Sequence, residues 1–323
     1  MQLTVSSFTC TGRRTSNQDH LLAATYDNSC FLQGLVIVAD GMGGAASGHT
    51  ASRIAAEAFG TISTLSEISN SIPDLIKQYA LDAHQAIMEA IEKNPAFTGM
   101  GTTLVAALAF QNAPIFILNA GDSRAYLVKN GADAQLITKD HKAFTTEDLR
   151  KMLDEKGDFA LARAYSKAIS SCLGADGSEP LLDIFELGEV EDLAGSAILV
   201  CSDGLVDNGH DIFGENEELL ARTITEYVFG MKSGEECCRN LAGFAYNEGS
   251  TDNISLCLME FGDLLREKKN IDIFPLPTET AIQLDASYPD CQSIKKLPNT
   301  SLALLCAGTA VIAILLLLFL WWD

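Results

Sequence analysis

The chain has 323 residues, 47% of them hydrophobic, and a formal net charge of -21 at pH 7. That hydrophobic share is ample for a sizeable core, and one mixed domain can run past about 200 residues. The acidic balance excludes a nucleic-acid binder, because a phosphate backbone demands basic surface.

The first five residues, Met1-Gln2-Leu3-Thr4-Val5, lack the charged-then-apolar pattern of a secretion signal. The apolar run 35–39 ends at Asp40 and reads as a buried strand, followed by a glycine-rich turn and a helix over 49–59. A second helix is expected over 73–93, where Leu75, Ile76, Tyr79, Ala80, Ala83, Ile87 and Ile91 recur at helical spacing. Strands over 103–110 and 114–120 are separated by Gln111-Asn112-Ala113, a hairpin spacing. Tyr126-Leu127-Val128 and Gln135-Leu136-Ile137 flank Asn130-Gly131, which signals a type I′ turn. Residues 141–166 are the least regular stretch, although Thr145-Thr146-Glu147-Asp148 looks like a capping box. The apolar run 197–201 reads as a strand, 217–229 and 235–247 as helices, and 253–261 as a final strand. No internal repeat is present. Long helices beside antiparallel strands imply an α+β fold with two sheets face to face and helices outside.

Nine cysteines, an odd number with no CxxC or CxxH spacing, argue for reduced thiols without a disulfide or zinc site. The adjacent Cys237 and Cys238 read as a buried helix face.

Aspartates recur in a fixed order of short motifs: Asn17-Gln18-Asp19, Asp40-Gly41-Met42-Gly43-Gly44, Gly121-Asp122-Ser123-Arg124, Ser202-Asp203-Gly204-Leu205 and Thr251-Asp252-Asn253-Ile254. Apolar runs precede Asp40, Gly121 and Ser202, so buried strands present these acids at the lip of a sheet. Carboxylates gathered there repel one another unless a cation neutralises them. Oxygen-only donors suit hard ions such as Mg2+ or Mn2+, whereas zinc favours His and Cys.

The order of these motifs, with Gly12-Arg13-Arg14-Thr15-Ser16 and Gly101-Thr102-Thr103, resembles the metal-dependent type 2C serine/threonine protein phosphatases in their bacterial form. The resemblance runs from Val5 to Phe261. It implies a four-layer αββα sandwich of two antiparallel sheets flanked by helices. It also implies hydrolysis of phosphoserine and phosphothreonine with two or three Mn2+ or Mg2+ ions. Asp40 is then the bridging ligand, with the Gly41 carbonyl, Asp203 and Asp252 completing the protein ligands. Asp19 holds metal-bound water, and Asp122 shares a third, weaker ion with Asp203. The alternative for Asp122 is a turn held by an Asp122–Arg124 pair. Arg14 lies five residues before Asp19, the spacing of the family's phosphate-binding arginine. A planar guanidinium clamps two phosphate oxygens at once. Arg13 then reads as a surface charge, and Gln18 stands where relatives often carry Glu. No histidine falls on a motif position that would make it a general acid, and His20 reads as structural. The segment 141–166 corresponds to the flap beside the active site.

These assignments divide the chain into a phosphatase domain over 1–262, a flexible tether over 263–300 and a transmembrane helix over 301–322. The last segment holds 22 uncharged residues, and at ~1.5 Å per residue that spans a ~30 Å hydrocarbon layer. Trp321 and Trp322 suit the interfacial belt, and Lys295 and Lys296 flank the near side. Basic residues on that side place the catalytic domain in the cytoplasm, anchored to the inner membrane and opposing a serine/threonine kinase that acts on the same phosphoproteins. Two rival readings remain: an inactive phosphopeptide-binding scaffold, which should have lost a metal aspartate, and a phosphatase of small phosphate esters.

Overall fold

In the computed structural model, residues 2–27, 30–65, 71–207, 216–266, 271, 273–274 and 276 are described, and the apolar run 35–39 is buried on both faces. Leu35, Ile37 and Ala39 face a core beneath helices, while Val36 and Val38 face a second sheet. A strand covered on both sides has no solvent face to fill with polar residues, so its sequence reads as a continuous apolar run.

The described strands are β1 Leu3–Cys10, β2 Asp19–Thr25, β3 Leu32–Met42, β4 Gly101–Thr102, β5 Leu104–Phe110, β6 Pro114–Ala120, β7 Arg124–Lys129, β8 Gln135–Leu136, β9 Leu173–Gly174, β10 Asp183–Glu189, β11 Ser196–Cys201 and β12 Ile254–Phe261. The described helices are α1 Ala45–Gly60, α2 Ile72–Lys93, α3 Thr146–Lys156, α4 Phe159–Ser166, α5 Glu217–Gly230 and α6 Gly234–Asn247. One sheet has the order β1-β12-β11-β7-β8; the other runs β10-β6-β5-β3-β4-β9, with β2 also paired to β3. The pairings are antiparallel throughout.

Three cores stack to give four layers. Ala55, Phe59, Ile76, Ala83 and Ile87 of α1 and α2 pack on β3 and β5. Val36, Val105, Ile117, Ile198, Val200 and Met259 fill the space between the sheets. Ile224, Val228, Cys237, Cys238 and Leu241 of α5 and α6 cover Leu199, Leu256 and Leu258. Cys237 and Cys238 are therefore the buried helix face expected, and no disulfide joins any of the described cysteines. The two-sheet, helix-flanked architecture matches the sequence-based expectation.

Several boundaries differ. Helix α1 begins at Ala45, ahead of the predicted 49, because Gly43 and Gly44 at φ 111° and 93° turn the chain straight out of β3. Asn130-Gly131 is not a type I′ turn, which needs positive φ at both residues; Gly131 has it at 79° and Asn130 does not. Leu127 pairs with Gln135, so the connection is longer than a two-residue hairpin loop. The segment 141–166 contains α3 and α4. The Thr145–Asp148 capping box is present, and Gly157 closes α3 in the left-handed conformation at φ 63°.

Past β12 the chain continues along the domain. Leu264, Ile271 and Leu276 pack against the α5–α6 core, and the Phe274 ring lies 6.0 Å from that of Phe244. These four residues, which composition assigns to the start of the tether, thus lie against the domain. The chain divides after residue 286, and the segment 301–322, read as a membrane helix, lies outside the described residues. Among the described residues, no helix is long and apolar enough to cross a membrane.

Candidate metal and phosphate site

The antiparallel register of β2 and β3 sets Asp19 directly opposite Asp40. Asp203 follows the end of β11, and Asp252 lies two residues before β12, the strand β11 pairs with. Asp122 occupies the turn between β6 and β7. Strand ends from both sheets therefore deliver all five acids to one lip.

Each is held by hydrogen bonds. The Asp40 N–H donates to Thr103 Oγ1 at 3.0 Å, and its carbonyl accepts from Thr103 N–H and Thr102 Oγ1, each at 2.9 Å. Ser202 Oγ donates to Asp19 Oδ2 at 3.0 Å, and Asn17 Oδ1 accepts from the Asp19 N–H at 3.1 Å. Asn253 ties the loop bearing Arg13 and Arg14 to the Asp252 turn, donating to the carbonyls of Thr11 and Ser16 and accepting from the Gln18 N–H. At Gly41 a Cβ would fall 2.1 Å from the Gly48 carbonyl oxygen and 2.7 Å from that of Gln18. Only glycine lets β3 pass this close to the first turns of α1. Gln18, in place of an acid, donates its Nε2 to the Gly44 carbonyl and braces the same turn.

Burial is the main electrostatic fact. It lifts the Asp19 carboxyl to about 6, against the pull of Ser255 and Ser202 hydrogen bonds. It lifts Asp203 to about 7, with Asp122 adding to the rise and Lys167 opposing it. Asp40 is pushed well above the usual carboxylate range by burial, then by Asp19 and Asp203. Asp19 Oδ1 and Asp203 Oδ1 are buried without a hydrogen-bond partner. Two unpartnered acceptor-only oxygens among crowded carboxylates are the donor set a hard divalent cation takes.

Among the described residues, no three acidic, histidine or cysteine side chains close on a single point. Basic groups stand between the acids. Lys167 Nζ lies 2.9 Å from Asp207 Oδ2, 3.1 Å from Asp252 Oδ2 and 4.0 Å from Asp203 Oδ2. Arg163 Nη2 reaches Asp207 Oδ1 at 3.2 Å, and Lys142 Nζ bonds Asp122 Oδ2. These groups line a cavity of about 190 Å³ with Asp122 and Asp203.

Arg14 sits at the rim with its side chain 47% exposed, bonding Asp252 Oδ2 at 2.7 Å and the Thr251 carbonyl at 3.0 Å. Arg13 points elsewhere, over the Tyr246 ring at 4.1 Å and onto the Ser250 carbonyl. The Asp122–Arg124 pair does not form: Arg124 binds Asp140 and Glu217 at 2.8 and 3.1 Å. Sequence reasoning missed Lys142, Arg163, Lys167 and Asp207, and left His141 without a role. His141 Nδ1 accepts from the Gly121 N–H at 3.1 Å and Nε2 pairs with Asp183 Oδ2 at 3.0 Å, fixing the turn that carries Asp122.

The sequence profile of the family described as Protein phosphatase 2C matches residues 9–244. The chain belongs to that family. Membership makes it a serine/threonine protein phosphatase acting on phosphoproteins. It is 33% identical over 235 residues to the serine/threonine phosphatase stp of Listeria innocua, covering 71% of this chain and 84% of the relative. It is 29% identical over 257 residues to PstP of Mycobacterium tuberculosis, covering 77% of this chain but 43% of that protein. A crystal structure of the PstP catalytic domain with two manganese ions superposes with a TM-score of 0.60 at 28% identity, over 81% of this chain and 99% of that one.

Proposed function

We propose that the chain hydrolyses phosphoserine and phosphothreonine in proteins with two divalent cations, Mn2+ or Mg2+, and does so tethered to a membrane. The observation that carries the metal reading is the pair of buried, unpartnered oxygens on Asp19 and Asp203. Asp40, Asp203, Asp252 and the Gly41 carbonyl would hold the ions, with Asp19 taking coordinated water. When bound, such ions acidify water and neutralise phosphoryl oxygens. The chain's own groups do the rest. Ser202 orients the Asp19 carboxylate, and the Thr102–Thr103 pair fixes the Asp40 backbone. Arg14, anchored on Asp252 yet half exposed, can receive two phosphate oxygens through its planar fork.

The purified chain is expected to turn over a phosphothreonine peptide with added Mn2+ and to lose that activity in EDTA. Full turnover in EDTA overturns the metal reading. Metal binding without turnover turns the reading to a scaffold, and preference for an aryl phosphate over the peptide turns it to small esters.

The tether rests on the uncharged residues 301–322, with Lys295 and Lys296 before them and Arg266, Lys268 and Lys269 further back. Basic flanks stay cytoplasmic, which sets the catalytic domain in the cytoplasm opposite a serine/threonine kinase. Full-length protein is expected in carbonate-resistant membranes, and a chain ending at Thr300 in the soluble fraction. Protease added to spheroplasts should spare the phosphatase domain. A soluble full-length protein removes the anchor, and digestion from outside reverses the orientation.

A further inference from the structure

We propose that the ammonium of Lys142 stands in for a third divalent cation at Asp122, so that this phosphatase works with two ions. The inference rests on the metal reading above and concerns only how many ions the site takes. Lys142 Nζ bonds Asp122 Oδ2; the lysine side chain is 30% exposed and the aspartate 7%. The pairing is set by the backbone around it. Gly121 and His141, the residues just before Asp122 and Lys142, are joined reciprocally: the His141 N–H donates to the Gly121 carbonyl at 3.0 Å, and the Gly121 N–H donates to His141 Nδ1 at 3.1 Å. Gly121 itself has φ 109°, and a Cβ there would strike Thr103 at 2.7 Å, so the turn has little freedom.

Lys142 is fixed from the other side as well. It bridges Ile169, the Ala143 N–H donates to the Ala168 carbonyl at 2.8 Å, and the Ser170 N–H donates to the His141 carbonyl at 2.7 Å. These bonds form a short antiparallel stem beneath α3 and α4. The ammonium is therefore carried on the flap's stem and not on its helices. Arg124, the cation the sequence offers as Asp122's partner, is engaged with Asp140 and Glu217.

A divalent ion seeking Asp122 Oδ2 must first displace this ammonium. Breaking the pair leaves a largely desolvated cation beside the incoming ion, which is costly on both counts. An ammonium has three donors and no acceptor, so it neutralises Asp122 and can hold a water by donating to it, but does not acidify that water as a metal would. The charge is thus supplied permanently, without dependence on the free metal concentration.

Calorimetric titration with Mn2+, backed by metal analysis after desalting, tests this. Wild type is expected to bind two ions. K142M, which keeps the length of the side chain and removes its charge, is expected to gain one further weak site. D122N/K142M should lose that added site. Thermal melts check that the variants fold. If K142M does not fold, the wild-type count decides, together with anomalous scattering from Mn2+-soaked crystals. A third ion on wild type at Asp122, or an unchanged count in folded K142M, overturns the inference while leaving the metal dependence itself standing. Wild type that binds no Mn2+ overturns both.

Discussion

Asp203→Asn is expected to lower phosphopeptide turnover by on the order of 10³-fold at saturating Mn2+, the scale seen when one preorganised electrostatic group is lost. The substitution preserves shape and hydrogen-bonding size, so the fold should survive. It removes the charge on a residue whose Oδ1 is buried and unpartnered, and places a neutral amide where the proposed ions need an anion. Asp40→Asn should lose a similar amount, since Asp40 stands opposite Asp19 and feels the fields of Asp19, Asp203, Asp252 and Asp122. Arg14→Ala should behave differently. Its guanidinium is half exposed at the rim, and in the proposed role it would meet ground-state and transition-state phosphate alike, so KM should rise with a smaller loss in kcat. Arg13→Ala, stacked on Tyr246, should leave kinetics unchanged. Steady-state assays on the four variants check this. Near-wild-type turnover by D203N would sink the ligand assignment, and an impaired R13A beside a normal R14A would show that the phosphate contact belongs to the other arginine.

What the sequence made legible follows from the range of the interactions involved. Residues 35–39 and 197–201 announce strands because burial on two faces leaves a continuous apolar run. Helix α2 is readable from its spacing; the Ser71 side chain, which caps the Asp74 N–H at 3.3 Å, sets its start at Ile72, one residue ahead of the expected 73. Asp40, Asp122 and Asp203 are readable because each follows such a run, whereas Asp19 and Asp252 stand at or just ahead of the start of strands and were placed by the order of the motifs. The flap helices are less so: only Leu149 of α3 is buried, so α3 has almost no apolar stripe to register as periodicity. Its Thr145–Asp148 box was the one local signal.

The basic residues among the acids were invisible for a different reason. Lys167 meets Asp203, Asp207 and Asp252 across at least 36 positions of chain, and Arg163 meets Asp207 across 44. Nothing local marks a lysine on an irregular segment as belonging to a site formed by strand ends. His141 is hidden in the same way, since its bond to Gly121 spans 20 positions and its partner Asp183 lies 42 positions on. Chemistry at strand ends is thus encoded locally, whereas the charges that balance it are encoded by topology.

The same charge balance sets the stability of the domain. Mn2+ at 1,000 times its Kd contributes about 4 kcal/mol per ion, which at about 2–4 °C per kcal/mol predicts a rise in Tm of roughly 8–16 °C. Without metal, the sign is fixed by the raised carboxyl values. The folded chain holds the protons of Asp19 and Asp203 more tightly than the unfolded chain does, with values of about 6 and about 7. Their destabilising effect is absent below the ordinary aspartate value of about 4, grows as pH rises, and is complete above the folded values. The metal-free protein should therefore lose stability between about pH 4 and about pH 7 through these two groups. Other carboxylates titrate in the same window, so the useful quantity is a difference. In EDTA, D203N should melt above wild type, and the gap should widen from pH 4 to pH 7, because only wild type must ionise the buried carboxyl. Adding Mn2+ should then reverse the order, raising wild type more than the variant. Melting curves for both proteins at several pH values, with EDTA and with Mn2+, measure this directly. A gap that stays flat with pH, or a D203N that gains as much from Mn2+ as wild type, would show that Asp203 is neither electrostatically strained nor a ligand.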